Sequence, residues 1–399
     1  MRVAGIVAEY NPFHTGHGWQ LARTRDALGG DCAIVCVMSG NWTQQAGCAL
    51  ADKWARARLA LLGGADLVLE LPTLWATASA EGFARAGVEL LHRTGVVDTL
   101  SFGSECGDVD ALGRVAAALD SQLYRAGLRR FLDEGMPFAA ARQAAVRGLL
   151  GEDAQLLSTP NNNLGVEYLR ALPALDSPIR PMTVKREGTA HNALGEPGAR
   201  FVSATHLRRR LRAGDWAGAE PYLVPGGAEL LRNTPLSDLG RVERAMLLKL
   251  RTMTPEDWTL LPDAAPEEGL PRRLTKAGRQ AVSLEAFYDL VKTKRYTHAR
   301  IRRLALMAYL DIAKSDRKGS PAYLRALGMN SRGQELLREM KRRASLPILT
   351  KPAHARWLDG EGRCQFELEA RCTDRYDLCL PEVCPGGREW TEGPVILKD

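Results

Sequence analysis

Short apolar runs alternate with longer amphipathic stretches through the first half of the chain. Residues Val3–Ala8, Ala33–Met38, Leu67–Leu71, Val96–Phe102 and Ile179–Lys185 read as strands. Residues His17–Leu28, Ala51–Leu62 and Ala80–Arg93 read as helices, and Gly63-Gly64 closes the second as a C-terminal cap. Near-continuous apolar strands separated by helices predict an α/β fold, a Rossmann-like parallel sheet covered on both faces. After about Ala213 the pattern changes: prolines punctuate a region of helical periodicity, with a basic helix within Gly328–Ser345 behind an Asn330/Ser331 cap and short strands after about Ser345. The expected division is therefore 1–213, a catalytic α/β domain, and 214–399, a mainly helical, basic C-terminal domain.

Ligands of such sheets sit beyond the C-terminal ends of the strands. The first strand breaks at Asn11-Pro12, and His14-Thr-Gly-His17 stands at the mouth of the next helix. Gly16 allows close approach to the backbone, and the free N–H groups of a helix start form an anion site. Two imidazoles there donate to phosphate oxygens and stabilise the charge that grows as a nucleoside triphosphate is attacked at its α-phosphorus. A metal site is the other reading of two histidines, but no Cys, Asp or third His lies nearby to complete one.

Other polar segments follow the same rule. Ser39-Gly40-Asn41 and Gly103-Ser104-Glu105 come after strands, and Pro160 through Gly165 opens a helix with an Asn as its cap. Lys185-Arg186 ends another strand. Ser203 caps a helix that carries Thr205 and Arg208, whose long side chain reaches back toward the helix mouth.

Charge and cysteines narrow the class. The 399 residues carry a net charge of +7. Between Lys292 and Arg343 there are 15 Lys and Arg against 4 Asp and Glu, a footprint for a polyanion such as RNA. No apolar run is long enough to span a bilayer, and the chain starts straight into a strand without a signal peptide, so a cytoplasmic protein that does not touch membranes is expected. The eight cysteines read as reduced thiols; Cys364, Cys372, Cys379 and Cys384 lack the paired spacing of a zinc knuckle.

His14-Thr-Gly-His17 resembles the HxGH signature of the nucleotidyltransferase superfamily, and Ser203-x-Thr205-x-x-Arg208 resembles its second phosphate-binding signature. The resemblance is closer to one family. Glu9-Tyr-Asn-Pro-Phe-His-x-Gly-His17, Met38-Ser-Gly-Asn41, Asp52-Lys-Trp54, Gly64 through Pro72, Phe102-Gly-Ser-Glu105, Pro160-Asn-Asn162, Lys185-Arg186, Lys294 through Arg303 and Leu346 through Lys351 are similar, in the same order, to the tRNA(Met) cytidine acetate ligases. That resemblance implies an enzyme that makes acetyl-adenylate from ATP and acetate, with Mg²⁺. It then acetylates the wobble cytidine of elongator tRNA(Met), giving N4-acetylcytidine. No obligatory protein partner and no resident metal site are implied. The implied ATP site comprises Ile6, Val7, Ala8, Glu9, Tyr10, Asn11, Pro12, Phe13, His14, Thr15, Gly16, His17, Gly18, Trp19, Gln20, Gly103, Asn162, Arg186, Ser203, Thr205 and Arg208, with His14 and His17 catalytic. Lys294, Arg295, Arg300, Arg302 and Arg303 are the expected tRNA contacts.

One segment departs from the family pattern. Where the family has an aromatic followed by Val-Gln-Arg-Gly-Glu-Pro-Ala, this chain has Trp42-Thr-Gln-Gln45-Ala-Gly-Cys48-Ala49. Gln45 stands where the family has an arginine; if that arginine binds substrate or tRNA, the contact is missing here, which bears on the acceptor or the efficiency more than on ATP binding. A small-molecule adenylyltransferase of the pantetheine-phosphate type and a non-catalytic RNA-binding protein are the alternative readings. The length argues against the first, and intact His14, His17 and Arg208 argue against the second.

Overall fold

Val, Ile and Leu fill the central strands because both faces of the sheet are covered. In the computed structural model, which describes residues 1–186, 201–266, 269–317 and 319–398, eight strands form one sheet. They are β1 (Val3–Ala8), β2 (Ala33–Ser39), β3 (Leu67–Leu71), β4 (Thr99–Ser104), β5 (Arg180–Lys185), β6 (Leu324–Met329), β7 (Ile348–Leu349) and β8 (Val395–Ile396). The order is β5-β4-β1-β2-β3-β6-β7, with β8 pairing β6. Strands β1 to β5 are parallel, as the alternating pattern predicts.

Side chains on the two faces alternate with period two. Val7, Val35 and Leu69 enter one core with Phe83 and Leu91 of the Ala80–Arg93 helix. Ile6, Ile34 and Val68 enter the other, beneath the Thr15–Leu28 and Lys53–Leu62 helices. Gly87 lets the Ala80–Arg93 helix lie directly on β1: a Cβ there would stand 2.6 Å from Val7 Cγ1. Strand β5 is an edge, which is why it tolerates Pro181 and exposed polar residues.

The chain runs outward from β1 to β3, then returns to the other side of β1 for β4 and β5. The strand order therefore reverses between β1 and β4, and the crevice beyond their C-terminal ends is the natural ligand site.

The second half of the chain is largely helical, yet it also completes the sheet. Gly328, expected to start the basic helix, belongs to β6, which pairs antiparallel with β3; the helix itself is Ser331–Arg343, capped by Asn330. A purely local pattern does not reveal this return, because β6 is only six residues long and follows a helix-rich stretch. The expected boundary at 213 thus cuts a chain whose two parts share one sheet. Residues 187–200, inside the first part, lie outside the described residues, as does Lys318 of the basic segment.

Buried ions join the two halves. Lys53 Nζ donates to Glu70 at 2.6 Å and to Glu389 at 2.8 Å, and Arg325 pairs with Glu389. Glu369 accepts from the Thr73 amide at 2.7 Å and its hydroxyl at 2.8 Å. Burial, with Glu70 beside it, pushes the Glu369 carboxyl up to about 7 against the pull of Lys53. Between its ordinary value and pH 7 the folded state holds a proton the unfolded chain has released, so stability falls as pH rises through this window. Urea titrations between pH 5 and 8 should show a falling midpoint for the wild type and a shallower fall for Glu369→Gln. Parallel curves would assign the pH dependence to other groups.

Candidate nucleotide and RNA site

A cavity of about 400 Å³ opens beyond β1 and β4. Its floor is built by the exit from β1. Tyr10 sits in the left-handed region at φ 46°, and the Asn11-Pro12 peptide is cis. Arg56, fully buried, gathers the carbonyls of Glu9, Ser39, Gly40 and Ala51, and so ties the ends of β1 and β2 together. Asn11 Oδ1 accepts from the Leu50 amide at 2.7 Å.

His14 is the N-cap of the Thr15–Leu28 helix. Its Nδ1 accepts from the Gly16 amide at 3.1 Å, and its own amide donates to His17 Nδ1 at 3.2 Å. This is a capping box made of two imidazoles. Because each Nδ1 is an acceptor, each neutral ring must carry its proton on Nε2. The rings stack with centroids 3.7 Å apart, and both line the cavity. Burial, helped by the charge of Arg186, pulls His14 down to about 3, and burial with its neighbours lowers His17 strongly. The site thus offers two neutral N–H donors in fixed orientation.

Of the expected nucleotide residues, Ile6, Val7, Ala8, Glu9, Tyr10, Asn11, His14, His17, Gln20, Gly103, Arg186, Ser203, Thr205 and Arg208 line this cavity. Gly16 and Trp19 line an adjoining recess with Phe201 and Val184. Ser203 caps the Ala204–Arg212 helix, and Arg208 donates to the Asn11 carbonyl at 2.8 Å and to Thr205 Oγ1 at 3.0 Å. Arg186 makes no side-chain hydrogen bond among the described residues and faces both histidines.

Several expectations need correcting in place. Pro12, Phe13, Thr15 and Gly18 do not line either space; Phe13 is in the core. Asn162 is buried beneath the surface of the site, where its Oδ1 accepts from the amides of Glu105 and Cys106. The Pro160–Ala174 helix is not capped by an Asn of its own: the Glu105 carboxylate reaches across to the amides of Asn161 at 3.1 Å and Asn162 at 2.7 Å. Asn41, expected to face a ligand, instead accepts from the Lys53 amide and donates to Thr373. The residues missed on the cavity wall include Gln44, Gln45, Ala80, Phe83, Phe102, Leu164 and Tyr168. The periodicity of the Pro160–Ala174 helix carries a signal for two of them, since Leu164 and Tyr168 are one turn apart.

The expected RNA contacts separate into two groups. Lys294 and Arg295 are exposed. Arg300 donates to the Asp263 carbonyl, Arg302 pairs with Glu285 at 3.3 Å over the Tyr288 ring, and Arg303 is half-buried. Those three guanidiniums serve the packing of the His298–Leu310 helix. The Leu270–Gln280 helix, by contrast, exposes Arg272, Lys276 and Arg279 on one face, and none of these makes an ion pair among the described residues. Arg273 of the same helix donates to the carbonyls of Leu290 and Val291, which brings Lys292, Lys294 and Arg295 alongside. All eight cysteines are free thiols, and no cluster of three or more metal-ligating side chains occurs among the described residues.

Residues 1–389 match the family model of the HIGH nucleotidyl transferases. The tRNA(Met) cytidine acetate ligase of Thermoanaerobacter sp. (strain X514) is 37% identical over 408 residues, covering 99% of this chain and 100% of that protein. The ligase of the same name from Clostridium perfringens is 34% identical, with both chains fully covered. The chain belongs to the tRNA(Met) cytidine acetate ligase family. Solved structures agree: Thermotoga maritima TmcAL bound with alpha-thio ATP is 33% identical, covers 100% of both chains and superposes with a TM-score of 0.91, and its apo form with 0.93. The family model and these solved structures agree with the nucleotidyltransferase fold expected from the sequence.

The electrostatics of the pair can be checked directly. The ring resonances of His14 and His17 should not shift between pH 5 and 8, assigned by comparison with His14→Gln and His17→Gln. A transition near pH 6.5 for either ring would contradict the buried, neutral arrangement.

Proposed function

We propose that the chain activates acetate with ATP to give acetyl-adenylate and pyrophosphate. It then transfers the acetyl group to the exocyclic amine of the wobble cytidine of elongator tRNA(Met), releasing AMP. The observation that carries this reading is the histidine capping box, two neutral Nε2–H donors held at the start of a helix over the switch point of the sheet. Whole-length similarity to proteins bearing the ligase name, and to one crystallised with an ATP analogue, supports the same reading.

In the first step an acetate oxygen bonds to the α-phosphorus while the bridge to the β-phosphate breaks and its electron pair leaves with pyrophosphate. This chemistry needs positioning and charge stabilisation more than covalent help. His14 and His17 donate to phosphate oxygens as charge builds. Arg186 and Arg208 hold the departing pyrophosphate. ATP would enter as its Mg²⁺ complex, and the ion would offset phosphate charge alongside Arg186 and Arg208. In the second step the cytidine amine attacks the mixed anhydride, and an unstacked anticodon-loop base suits such an approach. Residues 1–213 carry the nucleotide in this scheme, and residues 214–399 carry the RNA backbone on the Leu270–Gln280 face. The cytoplasm, where tRNA resides, is the proposed compartment; no helix among the described residues is long and apolar enough to cross a membrane.

The test is mass spectrometry of transcribed elongator methionine tRNA after incubation with ATP, acetate and the protein. A mass gain of one acetyl group at the wobble cytidine is expected, and an unmodified transcript would overturn the reading. His14→Ala and His17→Ala should each lower acetate-dependent ATP–pyrophosphate exchange about 10²–10³-fold while tRNA binding survives. Comparable loss of tRNA affinity would count against the assignment. Charge reversal at Arg272, Lys276 and Arg279 should weaken tRNA binding and flatten its salt dependence by about one unit of slope per lost phosphate contact. Reversal of Arg302 should do less, since it already pairs with Glu285. The opposite ranking would move the RNA face to the His298–Leu310 helix.

A further inference from the structure

The cavity has a polar end, where the histidines and arginines stand, and an apolar side. This apolar corner is made by Val7, Phe83, Phe102, Leu164 and Tyr168. Tyr168 is 97% enclosed, its relative exposure being 3%, and its ring lies 5.7 Å from that of Phe102. Its Oη is shielded from solvent and has no hydrogen-bond partner among the described residues. A phenol proton enclosed without an acceptor is the kind of group a ligand oxygen satisfies. Burial, with Glu9 nearby, keeps this hydroxyl protonated and therefore a donor. The Ala80–Arg93 helix, which packs against the Pro160–Ala174 helix, meets the cavity through Ala80 and Phe83 of its first turn and is capped by Ser79. A helix start favours a negative group.

We propose that this corner is the acetate pocket: Tyr168 Oη donates to one carboxylate oxygen, the other faces the α-phosphorus, and Phe83, Phe102 and Leu164 cover the methyl group. The proposal rests on the acetate-ligase reading above. Size argues for the acid rather than the cytidine as occupant. Tyr168 and Phe83 on this side are almost fully buried, whereas a base still joined to its RNA must enter from an open side of the cavity, such as that where Gln45 is exposed. Tyr168 and Leu164 are then specificity residues: one supplies the oxygen contact, and the other sets the length of acid that fits. The Pro160–Ala174 helix aims both, and its own start is pinned by Glu105, so the corner is anchored to the end of β4.

The test is ATP–pyrophosphate exchange titrated separately with acetate, propionate and butyrate, on the wild type, Tyr168→Phe and Leu164→Ala. Tyr168→Phe should raise KM for acetate about ten- to a hundredfold, the range for a lost hydrogen bond to a charged group, with KM for ATP unchanged. Leu164→Ala should shift the propionate-to-acetate preference about tenfold toward propionate. An unchanged acetate KM in Tyr168→Phe, a parallel rise of both KM values, or an unaltered acid preference in Leu164→Ala would overturn the pocket. A wild type without exchange on any of the three acids would overturn the acetate-ligase reading itself, and the pocket with it.

Discussion

The site depends on one hydrogen bond, from the Gly16 amide to His14 Nδ1. Any of several residues could cap this helix. Serine would accept the amide but offer only one weak donor, already close to the backbone. Aspartate would accept it and then oppose the triphosphate with its own charge. An imidazole accepts on one edge and donates on the other, so the act of capping fixes which nitrogen holds the proton. His17 repeats the arrangement by accepting from the His14 amide. The helix start therefore delivers its dipole, its remaining amides and two oriented side-chain donors to the same point. Burial and the Arg186 charge keep the rings neutral, so the positive charge in the site is concentrated on the arginines.

Around this point, polar residues after the strands mostly hold loops in place. Arg56 uses its whole guanidinium on main-chain carbonyls of the β1 and β2 exits. Glu105 and Asn162 exchange hydrogen bonds across two segments, each satisfying the other's amides. Lys53 collects carboxylates from β3 and from the C-terminal helices. A buried pair of this kind adds little net stability over apolar packing, but removal of one partner is costly, so the network specifies one register between the chain's two ends. The active crevice is rigid because its edges are pinned from residues distant in sequence.

That division explains what could be read from the sequence. Strands β1, β2 and β3 were legible because each is a largely apolar run between turn or helix signals, and His14, His17 and Arg208 were legible because a strand exit and a helix start fix their surroundings locally. Asn41 and Asn162 were misplaced for a physical reason: an Asn after a strand has the same composition whether it serves a ligand or a neighbouring loop, and only its partners decide. Tyr168 and Phe83 were invisible as site residues, since an aromatic on the apolar stripe of a helix looks like core. The absent acceptor at Tyr168 Oη separates the two cases, and that is a property of the assembled fold. Likewise β6 joins β3 across more than 250 residues, which no window of local periodicity spans.

The departure at Gln45 can now be placed. Residues 42–48 form a tight turn: Trp42 and Cys48 bridge, Thr43 donates its amide and its hydroxyl to the Gly47 carbonyl, and Ala46 takes φ 62° where the family pattern has glycine. A left-handed alanine is strained, and the turn is held by Trp42 bonding to the Cys372 carbonyl and by the Gln44 amide donating to Glu9. Gln45 thus stands at the cavity mouth while the phosphate-binding groups stand beyond it. A neutral side chain at this exposed position lowers the positive charge there and leaves the histidine cap, Arg186 and Arg208 untouched. Within the proposed reaction the substitution therefore bears on the second step, in which the cytidine amine meets the anhydride, and spares the adenylation that precedes it.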